Sequence, residues 1–271
     1  MDDLIRFVEV TFHRFKAFEN FVVPLRTFNV LVGPNNAGKS TILASFRILA
    51  AALRRAFNRK PSLIRDGNSA RYGYVVDLDG IGVAKENLFF NYDDSEPAVV
   101  SFKLANGARL KLHFPALGVC HLFVEDDRPE PKTPSTFRKR FNCPVGFVPI
   151  LGPVDYREYV YQPDAARKAL FGFGAARNFR NIWYHDKDLF SEFRGLLRET
   201  WPGMDIEPPV LDTSGDKPRL AMFCPEERIP REIFWAGFGF QVWCQMLTYL
   251  VKARDQALFI IDELDIYLHS D

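Results

Sequence analysis

The hydrophobic pattern changes its period along the chain, and these changes predict where strands and helices lie. Leu4–Phe12 alternates apolar and polar residues, which is typical of a half-buried strand, and a second short strand is expected at Phe21–Leu25. Thr27–Val32 is instead a largely apolar and β-branched run, which predicts a buried parallel strand. From Ile42 to Phe57 apolar residues recur at helical spacing without Gly or Pro, so one long helix is expected there.

The middle of the chain follows a β pattern and then returns to helical spacing. Between Tyr72 and Val124, short apolar runs are separated by Gly, Asn and Asp, and the pair Asn106-Gly107 is a strong hairpin signal. Residues 125–142 are charged and contain proline, which indicates a solvated loop. Helical periodicity extends over residues 164–200, and Arg219–Phe223 is expected to be a strand.

Composition adds a constraint on partners. With Lys+Arg 35 against Asp+Glu 34, the chain has no strong overall field, so any binding of nucleic acid needs a local basic patch. Solvated helix faces without a partner are an equally good interpretation of each basic group. The candidate groups for DNA are Arg54, Arg55, Arg59 and Lys60, and then Arg138, Lys139 and Arg140.

Cysteine usage and hydropathy bear on the compartment. The four cysteines are scattered, with no C-x-x-C pair, which favours free thiols in a reducing cytoplasm over disulfides or a zinc site. No apolar run approaches the roughly 20 residues that a membrane span needs, so no membrane partner is expected.

The strongest chemical motif lies between the predicted strand and the long helix. Residues 33–41 fit G-x-x-x-x-G-K-[ST], the phosphate-binding (Walker A) loop of nucleotide triphosphatases. Backbone amides at a helix N-terminus point at phosphates, Lys39 adds a positive charge, and Ser40 would bind Mg²⁺ through its hydroxyl. The candidate nucleotide-binding residues are Gly33, Asn35, Asn36, Ala37, Gly38, Lys39, Ser40 and Thr41.

A second motif stands near the end of the chain. Leu258–Ile261 is apolar and Asp262-Glu263 follows it, which is the Walker B pattern and predicts a buried parallel strand. Asp262 would bind Mg²⁺ directly or through water, and Glu263 would polarise the water that attacks the γ-phosphate. The two motifs lie more than two hundred residues apart, which excludes a compact GTPase or a simple AAA+ module.

A glycine-rich helix start precedes the Walker B motif. Gly237-Phe238-Gly239-Phe240-Gln241 opens a predicted helix, and the order of glycine-rich start, helix and Walker B is that of the ABC-type signature. The chain therefore resembles the bacterial ABC-type ATPase heads of the RecF, SMC and OLD group over nearly its whole length. Residues 33–41 match the G-x-N-x-x-G-K-S-T form of that group, and residues 262–269 are similar to its D-E-P-E-x-x-L-H segment, with Leu264 in place of proline.

The resemblance implies further contacts. His13–Phe18 is similar to the first-strand motif that lies near the nucleotide base, which implies a nucleotide contact from Arg14. Gly237, Phe238 and Gly239 would face the nucleotide of a partner protomer. The five residues Gly237–Gln241 form an aromatic variant of the Ser-Ser-Gly-Glu-Gln signature, which lacks the serine that touches the γ-phosphate.

The implied architecture is an α/β P-loop NTPase of the ABC-ATPase head type, with a mixed sheet core, a β-rich insertion and a helical lobe. Residues 1–57 and 206–271 would form the nucleotide-binding lobe, residues 58–150 the insertion and residues 151–205 the helical lobe. Only eight residues follow Glu263, so we expect the head to be C-terminally incomplete. In relatives the missing part carries a nuclease domain in some cases, and a separate effector protein is the other possibility.

Three functions compete at this point. The first is an ATPase that dimerises around ATP and Mg²⁺ and couples hydrolysis to a DNA-related process, such as repair or antiphage defence. The second is a nucleotide-locked scaffold or sensor that binds ATP with little turnover and regulates a separate effector. The third, a small-molecule kinase, shares the phosphate loop, but the distant Walker B motif and the glycine-rich element argue against it.

Overall fold

The chain divides into two units in the computed structural model. The first comprises Met1–Val145 and Gln256–Leu258, and the second comprises Gly146–Asp255 and Phe259–Asp271. The structure describes residues 4–66, 69–79, 81, 83–148, 151–163, 165, 178–226 and 229–262. Within these ranges, no helix is both long and apolar enough to cross a bilayer.

A seven-stranded sheet is the main feature of the first unit, and every neighbouring pair of its strands is antiparallel. The order across the sheet is β2-β1-β5-β6-β7-β4-β3. The strands are β1 (Phe7–Phe15), β2 (Phe18–Pro24), β3 (Ser62–Asp66), β4 (Ser69–Val75), β5 (Ala98–Leu104), β6 (Arg109–Phe114) and β7 (His121–Glu125). In β5 every second residue is buried, because successive side chains of a strand point to opposite faces.

Helix α1 (Lys39–Asn58) packs on the inner face of this sheet. The ring of Phe46 lies 5.9 Å from that of Phe7 and 5.1 Å from that of Phe102, so one helical side chain contacts two neighbouring strands. The helix ends where Arg59 becomes extended, two residues before Pro61, which cannot donate a helical hydrogen bond. The sheet and α1 therefore form a two-layer core, and the phosphate-loop sequence lies at the start of its helix.

A short helix, α2 (Pro134–Arg140), packs against the end of α1. Thr133 caps it by accepting a hydrogen bond from the Thr136 amide, and Pro134 occupies its first turn. Phe137 is fully buried, and its ring lies 5.8 Å from that of Phe57. This contact places the last turn of α1 beside α2.

The second unit contains three helices and several short strands among its described residues. A three-stranded sheet has the order β10-β11-β9, β12 and β13 form a hairpin, and β8 pairs with β14. The helices are α3 (Phe179–His185), α4 (Phe190–Thr200) and α5 (Phe238–Lys252). The strands are β8 (Val145–Phe147), β9 (Glu158–Tyr159), β10 (Val210–Asp212), β11 (Arg219–Ala221), β12 (Phe223–Glu226), β13 (Ile229–Glu232) and β14 (Leu258–Ile260).

Aromatic and aliphatic side chains of α3, α4 and α5 build the core of the second unit. Trp183 of α3 stacks on Phe193 of α4 with ring centroids 4.5 Å apart, and its indole N–H donates to Thr248 of α5. Burial of each such ring stabilises the fold by roughly 1.5–3 kcal/mol. The glycine-rich residues therefore begin a helix, α5, whose later turns are packed in this core.

Most predicted elements are confirmed. The mixed α/β class is correct, and the hairpin at Asn106-Gly107 joins β5 to β6, with Gly107 at φ +87°. The predicted long helix is α1. The helical stretch over residues 164–200 is confirmed from Phe179 onward, and its earlier part lies largely outside the described residues.

Two predicted elements differ from the structure. Thr27–Val32 is not a buried strand, and the side chains of Phe28 and Val32 are 82% and 88% exposed. The Asn29 side chain accepts from the Arg26 amide and donates to the Arg26 carbonyl, so a local turn replaces the extended ladder that the apolar composition favours.

The predicted solvated loop at residues 125–142 is also wrong in part, because it contains α2. Thr133 followed by Pro134 is the local sequence signal for the start of this helix. The partition into a nucleotide-binding lobe, a β-rich insertion and a helical lobe stays a prediction.

Candidate nucleotide-binding site

The Walker A sequence forms a tight turn that leads directly into α1. The Ala37 amide donates to the Pro34 carbonyl at 3.2 Å, and the amides of Thr41 and Ile42 both donate to the carbonyl of Gly38. Asn36 and Gly38 have positive φ angles of 67° and 89°. Such a turn aims the first amides of a helix at one point, which is how this motif binds phosphate.

Gly38 is required by both its conformation and its packing. Its φ angle of +89° is strained for any residue with a side chain, and a Cβ atom there would lie 2.3 Å from the ring of Phe18. Phe18 in turn packs against Phe12 and Phe21, with ring centroids 5.1 and 4.5 Å away. The start of β2 therefore supports the phosphate loop through an aromatic contact that the sequence pattern does not reveal.

The donor groups of the loop fit a polyphosphate. The Lys39 ammonium lies over the loop, where it donates to the carbonyls of Gly33 and Pro34 at 2.5 and 2.9 Å. No acidic side chain lies in the first turn of α1, so nothing there offsets the positive end of the helix dipole. Ser40 is exposed in the same turn, and its hydroxyl is of the type that binds Mg²⁺ beside a phosphate.

Arg14 lies in the first unit at the end of β1, and its side chain is engaged by acidic residues. Its guanidinium donates to Asp93 at 2.5 Å and lies 3.6 Å from Glu96. Hydrogen bonds from Ser95, and to a smaller extent the hydrogen bond from Arg14, lower the pKa of Asp93 to about 2. A nucleotide contact from Arg14 stays a prediction, and it would compete with these two carboxylates.

The predicted signature begins α5 in the second unit. Gly237 is the N-cap residue, with φ −54° and ψ 144°, and a short 3₁₀ turn, Ile233–Trp235, precedes it. A Cβ atom at Gly237 would meet no described atom within 4 Å, so neither backbone conformation nor packing within the chain requires glycine there. Trp235 beside it is 64% exposed.

Most of the Walker B segment, from Phe259 to Asp262, also lies in the second unit. Leu258–Ile260 forms strand β14, as predicted, and the Val148 amide donates to the carbonyl of Ile260 at 2.9 Å. The strand is half-buried, whereas the sequence predicts a buried one. Asp262 follows β14 and is described, but Glu263 lies outside the described residues, so its role as general base stays a prediction.

The structure brings together most of the basic residues that were candidates for DNA. Arg138 donates to the carbonyl of Phe57, which joins α2 to the last turn of α1. Arg140 is committed elsewhere, because its side chain is 9% exposed and binds Asp126. The basic patch consists of the exposed residues Arg54, Arg55, Arg59, Lys60, Arg138 and Lys139, which form no ion pair with any described residue.

Comparison with known proteins finds a family model that matches part of the chain. Residues 28–150, a little under half of the chain, match the model of the family described as AAA domain, putative AbiEii toxin, Type IV TA system. No curated protein matches the chain.

Two solved structures resemble the whole chain. One is the crystal structure of the SmcHead bound to the C-winged helix domain of ScpA, with TM-score 0.52 and 12% identity over 97% of this chain and 91% of that one. The other is the structure of the recombination mediator protein RecF-ATPrS in the RecFOR pathway, with TM-score 0.46 and 11% identity, covering 100% of this chain and 95% of that one. At this level of identity, the SmcHead similarity identifies the fold.

Proposed function

On the premise that this chain has the fold of an ABC-type ATPase head of the RecF and SMC group, we propose that it is an ATPase. It binds ATP with Mg²⁺, dimerises around the nucleotide and couples hydrolysis to a DNA-related process in the cytoplasm, such as antiphage defence or repair. The AAA-domain match and the fold support nucleotide binding and hydrolysis. The observation that carries the proposal is the phosphate loop, in which Gly38, Lys39 and the start of α1 present their donors together.

Each site residue has a separate task in this mechanism. Lys39 exchanges its two loop carbonyls for phosphate oxygens and neutralises their charge, while the first amides of α1 orient them. Ser40 and Asp262 would hold Mg²⁺, which supplies charge neutralisation of the β- and γ-phosphates when bound. Glu263 orients the attacking water and accepts its proton.

Dimerisation would complete the site. Gly237, Phe238 and Gly239 would face the nucleotide held by the partner's phosphate loop, and the open space at Gly237 supports a close approach of this kind. A helix N-terminus binds anions through its backbone amides, so the missing signature serine does not exclude a phosphate contact. Because each protomer would offer the same two surfaces, a two-fold symmetric dimer is expected.

The basic patch supports the DNA-related part of the proposal. It gathers exposed cations from two helices in a chain whose overall charge is only +1, so its field is local. Flexible Lys and Arg side chains of this kind bind backbone phosphates without reading sequence.

A nucleotide-locked scaffold or sensor is the second candidate. The aromatic signature favours it, because Phe238 and its neighbours offer no hydroxyl to the γ-phosphate and turnover would then be slow. Steady-state phosphate release separates the two candidates, since a scaffold binds ATP without sustained release.

Two substitutions test the ATPase directly. Lys39→Ala removes charge-assisted hydrogen bonds, so ATP affinity should fall by about tenfold to a hundredfold. Glu263→Gln should keep ATP affinity within about twofold and lower phosphate release by about a hundredfold or more. Both are measured by nucleotide titration and phosphate release, with Lys217→Ala as an exposed control. Loss of ATP binding in a folded Glu263→Gln protein would contradict the general-base assignment.

A further inference from the structure

The turn in front of the signature is held from inside its own helix. Gln241 lies in the first turns of α5 and is buried, with 4% of its surface exposed. Its amide nitrogen donates to the carbonyls of Phe234 and Ala236 at 3.0 and 2.9 Å. Its amide oxygen accepts from the Val154 N–H at 3.0 Å. Both hydrogens of the amide and its oxygen are therefore used, and this pattern allows only one orientation of the group.

The other side of the same turn is held by an ion pair between Glu232 and the buried Arg180. Glu232 accepts from the amides of Phe234 and Met222 at 2.8 and 3.2 Å. The guanidinium of Arg180 donates to Glu232 at 2.8 Å, and this arginine is fully buried. Glu158 binds Arg180 from a second direction at 3.2 Å. The 3₁₀ turn Ile233–Trp235 thus has fixed partners at its start and at its end.

We propose that Gln241 is a positioning residue, which orients Gly237-Phe238-Gly239 by holding the carbonyls of the turn that precedes them. Gln241 does not touch nucleotide in this arrangement. It fixes the path of Phe234–Ala236, and that path sets the direction of the backbone amides at the start of α5. This inference rests on the proposed function, in which those amides face the partner's nucleotide.

The chain contains a matched control one helical turn further on. Gln245 is also buried, with 2% exposure, and its side chain donates to the carbonyls of Gly152 and Gln241 at 2.6 and 3.1 Å. It has the same size and polarity as Gln241 but makes none of the bonds to the turn. Gln245→Leu therefore removes a buried glutamine from α5 and leaves the carbonyls of Phe234 and Ala236 with their partner.

The variants separate the contacts of Gln241. Gln241→Leu removes all three hydrogen bonds at nearly constant volume. Gln241→Glu keeps an acceptor for the Val154 amide but loses both donors to the turn. If the bonds to the turn carbonyls are the important contact, the two variants behave alike. If the Gln241→Leu protein folds poorly, Gln241→Glu still provides the test.

Amide hydrogen exchange, measured on the full chain without nucleotide, tests whether Gln241 holds the turn before α5. We expect amide exchange in residues 233–240 to rise by about tenfold in both Gln241 variants and to stay within about twofold in Gln245→Leu. Unchanged exchange in the Gln241 variants, or an equal rise in the control, overturns the inference.

The dimer dissociation constant tests whether this positioning matters for assembly. In a Glu263→Gln background with ATP and Mg²⁺, the dimer dissociation constant should rise by about tenfold with either Gln241 variant, while ATP affinity of the monomer stays within about twofold. A dimer as tight as the parent's despite faster exchange overturns the positioning role. A parent that never dimerises with ATP, while the exchange pattern holds, overturns the proposed function instead.

Discussion

Single polar side chains hold the turns of this protein, and Asp126 is one whose contribution depends on pH. It accepts from Arg140 at 2.8 Å and from Arg128 at 3.0 Å, and its side chain is 11% exposed. Burial alone raises the pKa of Asp126, but the hydrogen bonds from Arg140 and Arg128 outweigh it and lower the pKa to about 2. The carboxylate therefore ties the chain before α2 to the end of that helix.

Asp126→Asn should lower the free energy of unfolding by about 2 kcal/mol near pH 7, because the folded-state pKa lies below the unfolded value of about 3.9. This stabilisation is fully present above about pH 4 and is lost as the pH falls through about 2. Urea denaturation at several pH values measures it. Asp127→Asn is the control, since Asp127 is the exposed neighbour. A difference between Asp126→Asn and the parent that persists undiminished at pH 2 would contradict this assignment.

At the scale of elements, periodicity predicted α1 and the antiparallel strands correctly, because their apolar positions repeat over many residues. It failed at Thr27–Val32, where the Asn29 side chain bonds to backbone and competes with strand formation. Strand propensity describes the preference of a segment alone. A strand also needs a neighbouring strand with which its backbone can form hydrogen bonds.

For the candidate site, too, the sequence predicts some features and leaves others to the fold. Motif spacing predicted the phosphate loop and Asp262 as site residues, since their chemistry depends on residue type in local sequence, and these roles stay predictions. It did not reveal the contacts of Phe18 and Gln241, although both residues lie in motifs that the sequence indicated. Phe18 packs against Gly38, and Gln241 bonds to the turn before α5. A motif specifies residue types at local spacing and not the atoms that they contact, so only the fold reveals these contacts.

The basic patch, which lies where α1 and α2 pack together, leads to a prediction about DNA binding. Replacing Arg54, Arg55 and Arg59 together by Gln should reduce the slope of log affinity against log salt for duplex DNA by about 2 to 3, because each phosphate contact contributes about 0.9. Fluorescence anisotropy over a range of salt concentrations measures the slope. The matched control removes the same charge from exposed residues outside the basic patch, namely Arg65, Arg157 and Lys217. Equal slopes for the two triple variants would remove the basic patch from the proposal.

At the scale of the whole molecule, the Walker A loop belongs to the first unit, and the signature and Asp262 belong to the second. In an ABC-type head the signature acts on the nucleotide of another protomer, so one chain would contribute to two sites. ATP would then join two protomers, and hydrolysis would release the contact. This dependence of assembly on nucleotide is the central claim of the proposed function.

Light scattering of Glu263→Gln with and without ATP and Mg²⁺ tests that claim most directly, together with the double variant that adds Gly239→Glu. A carboxylate at position 239 should repel the incoming phosphate, while ATP binding at Lys39 stays intact. We expect the parent to shift from monomer to dimer with ATP and the double variant to remain monomeric. A double variant that dimerises with ATP as well as its parent, or a parent whose mass ignores ATP, would contradict the account.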